Sequence, residues 1–208
     1  MGNILVDCNM QIRNVSLIMI LMVVGFHFAC GDSSETNDDL SENETIFVVE
    51  SIYYDQGIDF ANSGDYQNAI DSFDKAIEVK PDFAEVFYNR GFAYIKLGKY
   101  TKAIDDFTQV ILLNPDRSEF LTMAFYNRGN VYNLLEEYDK GINDYNKAIE
   151  MNPDFVEAYY YRGNAYIKLQ QYEKALVDYN SAIAINPNYK NAVNNREILL
   201  ESGVLVKD

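Results

Sequence analysis

Gly57, Gly91, Gly129 and Gly163 recur at spacings of 34, 38 and 34 residues, and Pro81, Pro115, Pro153 and Pro187 repeat the same three spacings. A period in the thirties constrains the fold more than any other feature of the chain. It describes a stack of like units, each too small to bury its own apolar face and each touching mainly its neighbours. The product of such a stack is an extended surface, which suits recognition better than chemistry.

With each glycine set at position 8 of a 34-residue unit, the units run 50–83, 84–117, 122–155 and 156–189. Position 4 then holds Tyr53, Phe87, Phe125 and Tyr159, and position 11 holds Phe60, Tyr94, Tyr132 and Tyr166. Further along, position 20 holds Ala69, Ala103, Gly141 and Ala175, position 24 holds Phe73, Phe107, Tyr145 and Tyr179, and position 27 holds Ala76, Val110, Ala148 and Ala182. Positions 4, 8 and 11 share one stripe of a helix, and positions 20, 24 and 27 share one stripe of a second. Each unit is therefore a helical hairpin. Glycine inside a helix costs about 1 kcal/mol relative to alanine, so its return in every unit marks a close helix crossing, with the small residue at position 20 expected as the opposite wall. Segments such as Asn152-Pro153-Asp154 stop one hairpin and open the next.

This pattern resembles the tetratricopeptide repeat, with aromatics in place of its tryptophan at position 4, over residues 50–189 and a following helix. The resemblance implies an all-α, right-handed α-solenoid of four hairpins. A capping helix is expected at 190–203, with Ile198, Leu199 and Leu200 covering the last hairpin. Four extra residues, Ser118 to Leu121, separate the second and third units. Four residues are about one helical turn, so they predict a longer third-unit helix from about Arg117 to Leu135, with Asp116 and Glu119 as a capping pair.

Composition narrows the chemistry. Cys8, His27 and Cys30 are the whole complement of cysteine and histidine, so residues 31–208 hold no His or Cys relay and no His or Cys metal cage. Neighbouring acids such as Asp105 and Asp106 fall on different helix faces and read as solvated charge. No catalytic residue, cofactor or metal is expected. A net charge of -15 disfavours nucleic acid and anionic lipid head groups as partners.

Position 7 is Arg90, Arg128 and Arg162 in units two to four, and position 23 of the same units is Asp106, Asp144 and Asp178. Unit one has Gln56 and Ser72 instead, so the charges come and go together. Antiparallel helices bring these positions close, which predicts three structural ion pairs within hairpins, each worth up to about 1 kcal/mol if partly exposed.

In the tetratricopeptide family the first helix of each unit lines a concave groove, through positions 2, 5, 6, 9, 12 and 13. The resemblance thus implies a tyrosine ladder of Tyr54, Tyr88, Tyr126 and Tyr160. It places an amide row beside it, with Asn89, Asn127, Asn130 and Asn164 in the units and Asn194 and Asn195 in the cap, and with Ile58 and Phe92 as apolar patches. Tyr and Asn suit a groove for an extended peptide or a helix. Packing between units is the other role open to these tyrosines. The family's clamp for chaperone C-termini does not fit, because Tyr54, Ile58, Met123 and Asn127 stand where it needs other residues and only Asn89 agrees.

The N-terminus carries an apolar run from Val15 to Ala29, preceded by Arg13 and followed by Cys30. At 15 residues the run is shorter than the roughly 20 of a membrane span and has the layout of an export signal. With Ala29 before the cysteine and an acidic, serine-rich stretch after it, it resembles a Bacteroidetes-type lipoprotein signal, although His27 occupies a place where leucine is usual. The resemblance implies a signal peptide over 1–29, starting at Met1 or Met10, and a lipidated Cys30. The alternatives are an uncleaved anchor or a secreted or periplasmic protein. Gly31 to Thr45 carries six acids and no Lys or Arg, which reads as a disordered tether with a reach of about 20 Å, the folded domain occupying 46–208. The expectation is a non-catalytic scaffold at a bacterial outer membrane or cell surface, anchored by lipid, that binds other proteins in its groove. An envelope assembly factor, or an accessory protein for small solutes or glycans, is the alternative.

Overall fold

The computed structural model describes residues 42–113 and 118–203. Among these residues the chain forms helices only. In order they are α1 (Glu42–Ser63), α2 (Tyr66–Val79), α3 (Ala84–Lys96), α4 (Tyr100–Leu113), α5 (Ser118–Leu134), α6 (Tyr138–Met151), α7 (Val156–Lys168), α8 (Tyr172–Ile185) and α9 (Lys190–Glu201). They pair as hairpins, α1 with α2 through α7 with α8, and α9 closes the stack against α8. First helices also touch the first helix of the next unit, α1 with α3, α3 with α5 and α5 with α7, and no pair of second helices is as closely packed. A stack whose first helices crowd together while its second helices spread apart curves, with the first helices on the inner face.

Each hairpin turn is built alike. The residue at position 15 adopts the left-handed conformation, Gly64 at φ 83°, Gly98 at 69°, Glu136 at 61° and Gln170 at 58°. The following amide then reaches back to the carbonyl at position 11: Asp65 to Phe60, Lys99 to Tyr94, Glu137 to Tyr132 and Gln171 to Tyr166, at 2.8 to 2.9 Å. This is the C-terminal closure that stops a helix by satisfying its last carbonyls.

The glycine at position 8 faces a different wall from the one expected. A Cβ added at Gly163 would lie 2.8 Å from Tyr179 Cε1, and one at Gly91 would lie 3.1 Å from Phe107 Cε1. The nearest atoms thus belong to the ring at position 24, whose edge lies against the bare Cα. In unit three the Gly141 backbone oxygen shares the contact, 3.2 Å from such a Cβ at Gly129. The rings are sealed in, with Phe73, Phe107 and Tyr145 wholly buried and Tyr179 nearly so.

Of three further expectations, two differ from the structure and the longer third-unit helix agrees with it. Helix α1 begins at Glu42, inside the stretch read as tether. The insertion lengthens α5, which spans Ser118–Leu134. Asp116, the expected capping partner of Glu119, lies outside the described residues, as do Cys30 and the signal segment. In α9, Leu199 is buried with Ala192, but Ile198 is 65% exposed and Leu200 53%. Successive helical residues turn by about 100°, so only one of the three can face the hairpin.

Candidate functional site

The arginines at position 7 each grip two units. Arg90 donates from Nε to Asp106 at 2.9 Å and from Nη2 at 2.7 Å. Arg128 does the same to Asp144, at 2.8 Å for both, and Arg162 to Asp178, at 2.8 and 2.6 Å. The remaining Nη1 reaches position 25 of the preceding unit: Asp74 for Arg90, Thr108 for Arg128 and Asn146 for Arg162. The three aspartates are buried. Burial pushes the Asp106 and Asp178 carboxyls above the ordinary carboxylate range, against the lowering effect of their arginines. Burial also works to lower the guanidinium values, but hydrogen bonds to the aspartates prevail and raise Arg90, Arg128 and Arg162. Each fork joins the two helices of a hairpin and ties them to the second helix of the preceding unit.

The tyrosine ladder and the position-6 amides are joined to each other. Asn89 Nδ2 donates to the Tyr54 hydroxyl at 3.1 Å, Asn127 to Tyr88 at 3.1 Å, and Asn195 to Tyr160 at 3.4 Å. In the fourth unit position 6 is Tyr161, whose ring meets Tyr126 edge-on at 5.9 Å. The rings also pack in the body of the stack, Tyr54 against Phe83 at 5.1 Å, Tyr126 against Phe155 at 4.7 Å and Tyr160 against Tyr189 at 5.4 Å. Tyr88 sits among Phe92, Phe107 and Phe120. Asn127 is buried. Positions 5 and 6 therefore staple each unit to the next, and the open part of the inner face is lined from position 9 onward together with Tyr161 and Asn195 of position 6.

At position 9 the side chains are Ile58, Phe92, Asn130 and Asn164, with Ile198 continuing the row on α9. Ile58 packs on the cluster around Phe73. Phe92 meets the Phe107 ring edge-on at 6.1 Å and is 36% exposed. The two asparagines sit over buried phenols instead. Tyr145 donates to Asn130 Oδ1 at 2.8 Å and accepts from Asn133 Nδ2 at 2.9 Å. Tyr179 donates to Asn164 Oδ1 at 2.8 Å, and the same oxygen takes Asn195 Nδ2 at 3.0 Å.

Two adjoining cavities open here. One, of about 530 Å³, lies between α7 and α9, walled by Asn164, Lys168, Tyr172, Asn195 and Ile198. The other, of about 400 Å³, lies between α5 and α7, walled by Asn130, Asn133, Leu134, Tyr138, Tyr161 and Lys168. They share Asn164 and Lys168 and form one trough along the inner face. Tyr138 and Tyr172 were missed in the sequence, although Tyr66, Tyr100, Tyr138 and Tyr172 recur in register at position 17. Asn133 and Lys168 stand at positions 12 and 13, which the resemblance names but whose residues differ from unit to unit, and Ile198 reads in the sequence as part of the cap's packing face.

The tetratricopeptide repeat family matches residues 84–117 and 156–189, and its TPR repeat description matches 59–98 and 129–170. Together these cover more than half of the chain. The chain is a tetratricopeptide repeat protein. No curated protein sequence matches it. Among solved structures it is similar to the MamA protein, at 25% identity and a TM-score of 0.68 over 75% of this chain and 84% of that one. It is similar to a tetratricopeptide repeat protein from Parabacteroides merdae, at 27% identity and a TM-score of 0.67 over 73% of this chain and 59% of that one. The TPR domain of Arabidopsis OM64 is also similar, at 27% identity and a TM-score of 0.52 over 57% of this chain and 94% of that domain. Among the described residues no three His, Cys, Asp or Glu side chains are grouped as metal ligands, and no helix is long and apolar enough to cross a membrane.

Proposed function

We propose that this tetratricopeptide repeat protein is a non-catalytic scaffold that holds a segment of a partner protein in its inner trough, while a lipid on Cys30 ties it to a bacterial envelope membrane. The observation that carries the reading is the trough itself. Leu134, Lys168 and Ile198 line it and stay exposed, while its asparagines and tyrosines also bind within the stack. Its tyrosine rings and amides offer broad amphipathic area with adaptable hydrogen bonding, the chemistry of peptide recognition. The similarity to other tetratricopeptide repeat structures supports the same use of the fold. The anchor rests on the sequence around Ala29 and Cys30 alone.

The test changes Leu134 and Lys168, both exposed in the trough, together to Ala and compares thermal melting with partner recovery after crosslinking in native envelopes. The proposal requires loss of recovery with melting preserved. Undiminished recovery contradicts it. For the anchor, Cys30→Ser should abolish incorporation of labelled fatty acid and release the protein from the membrane fraction, and retention of label would place the lipid elsewhere.

A further inference from the structure

The inner face changes chemistry along its length, and the change is built in two layers. Position 9 reads Ile58, Phe92, Asn130, Asn164 and then Ile198, while position 24 beneath it reads Phe73, Phe107, Tyr145 and Tyr179. Hydrocarbon lies over hydrocarbon in the first two units, and amide lies over phenol in the next two. The phenols decide what the amides can offer. Each takes the carboxamide oxygen, at 2.8 Å for both Asn130 and Asn164, and Asn195 adds a second bond to the Asn164 oxygen. With its acceptor occupied, Asn164 has its N–H groups left for an occupant.

Lys168 lies one turn further along the same face of α7 and is exposed. It is the single charged side chain among those lining both cavities, in a protein whose net charge is -15. An amide donor and an ammonium side by side match a group that only accepts hydrogen bonds and carries negative charge, which is a carboxylate. Apolar surface flanks this place on both sides, Ile198 on α9 at 65% exposure and Leu134 on α5 at 58%.

Resting on the reading of the trough as a partner site, we infer that its occupant is an extended peptide segment with an Asp or Glu seated on Asn164 and Lys168 and bulky apolar residues on either side. Packed helices lie about 8–10 Å apart and an extended chain advances about 3.3 Å per residue, so each unit spans about three residues of the occupant. The apolar residue over Ile198 then falls about three positions from the acid. The one over Leu134, one unit away on the other side, falls about three positions from it.

A random dodecapeptide library panned against the full chain tests this. Expected is enrichment of peptides with an acid about three residues from Leu, Ile or Phe, whose binding Lys168→Glu weakens by about tenfold or more without lowering the melting temperature. Enriched peptides that lack the acid, or that bind Lys168→Glu equally well, overturn the inference and leave the trough as a peptide site. A library that yields no binder weakened by Leu134→Glu, at an exposed wall of the trough, overturns both readings.

Discussion

The Tyr179 hydroxyl donates to the Asn164 carboxamide oxygen at 2.8 Å, joining the buried layer of the last hairpin to the wall of the trough. The equivalent place in the second unit holds Phe107 beneath Phe92, where no hydrogen bond is needed. Tyr179→Phe should cost about 1 kcal/mol by removing one partner of the bond, and Asn164→Leu more, because it also takes the acceptor of Asn195 Nδ2. The double variant, which recreates an apolar pair, should be less destabilised than the sum of the two by about 1 kcal/mol. Urea unfolding of the four proteins measures this, and strict additivity would mean that the bond contributes nothing to stability.

The arginine forks differ in kind from the surface pairs. Asp178 is 3% exposed in its side chain, so Arg162→Ala leaves a buried carboxylate without its fork and should cost about 2–4 kcal/mol. Lys147 and Glu150 form a pair with side chains 57% and 67% exposed, and Lys147→Ala should change stability by no more than about 0.5 kcal/mol. Calorimetric melting of the two variants separates the cases. Equal effects would contradict the structural role of the forks.

Two of the four hairpin turns use side chains where glycine is cheaper. Glu136 and Gln170 stand at φ 61° and 58°, a conformation that costs a residue with a Cβ about 1–2 kcal/mol. Glycine brings back about 0.5–1 kcal/mol of unfolded-state entropy. Glu136→Gly and Gln170→Gly should therefore each stabilise by about 0.5–1 kcal/mol, seen as a higher urea midpoint with an unchanged slope. By contrast Gly163→Ala, whose new methyl would meet the Tyr179 ring at 2.8 Å, should destabilise strongly.

Alkaline pH should unfold the stack through its tyrosines. Burial pushes Tyr179 and Tyr189 up to about 12, and it raises Tyr88, Tyr126 and Tyr145 as well. A free phenol titrates near 10, so in the window from about 10 to 12 the unfolded chain loses protons that the folded chain keeps. Stability is complete below that window and falls as pH rises through it. Phenolate absorbance should show these tyrosines ionising together with loss of helix by circular dichroism. Ionisation of all 17 tyrosines at pH 10 with helices intact would contradict it.

The repeat was legible because its glycines, prolines and aromatics keep register over whole units, and register is what helix packing demands. The pairing of Arg90, Arg128 and Arg162 with position 23 could be read from their joint absence in the first unit. The trough was harder. Asn127 and Asn130 look alike in sequence, yet Asn127 is buried against Tyr88 of the unit before while Asn130 lines a cavity, a difference set by neighbours 39 and 15 residues away. Tyr138 and Tyr172 were in plain register and were passed over because they sit at the start of the second helix, away from the positions the family resemblance names. Ile198 and Leu199 are adjacent apolar residues, and only the phase of α9 decides which one is buried.

Photocrosslinking from each face tests the central claim, that the inner trough holds the partner. A benzophenone amino acid placed at Leu134 or Lys168 lies in the trough, whereas at Leu112 or Val177, which are 69% and 63% exposed on the outer helices α4 and α8, it lies outside. The account predicts one common crosslinked partner from positions 134 and 168 in native envelopes and none from 112 and 177. A partner caught only from the outer helices, or equally from all four positions, would contradict it.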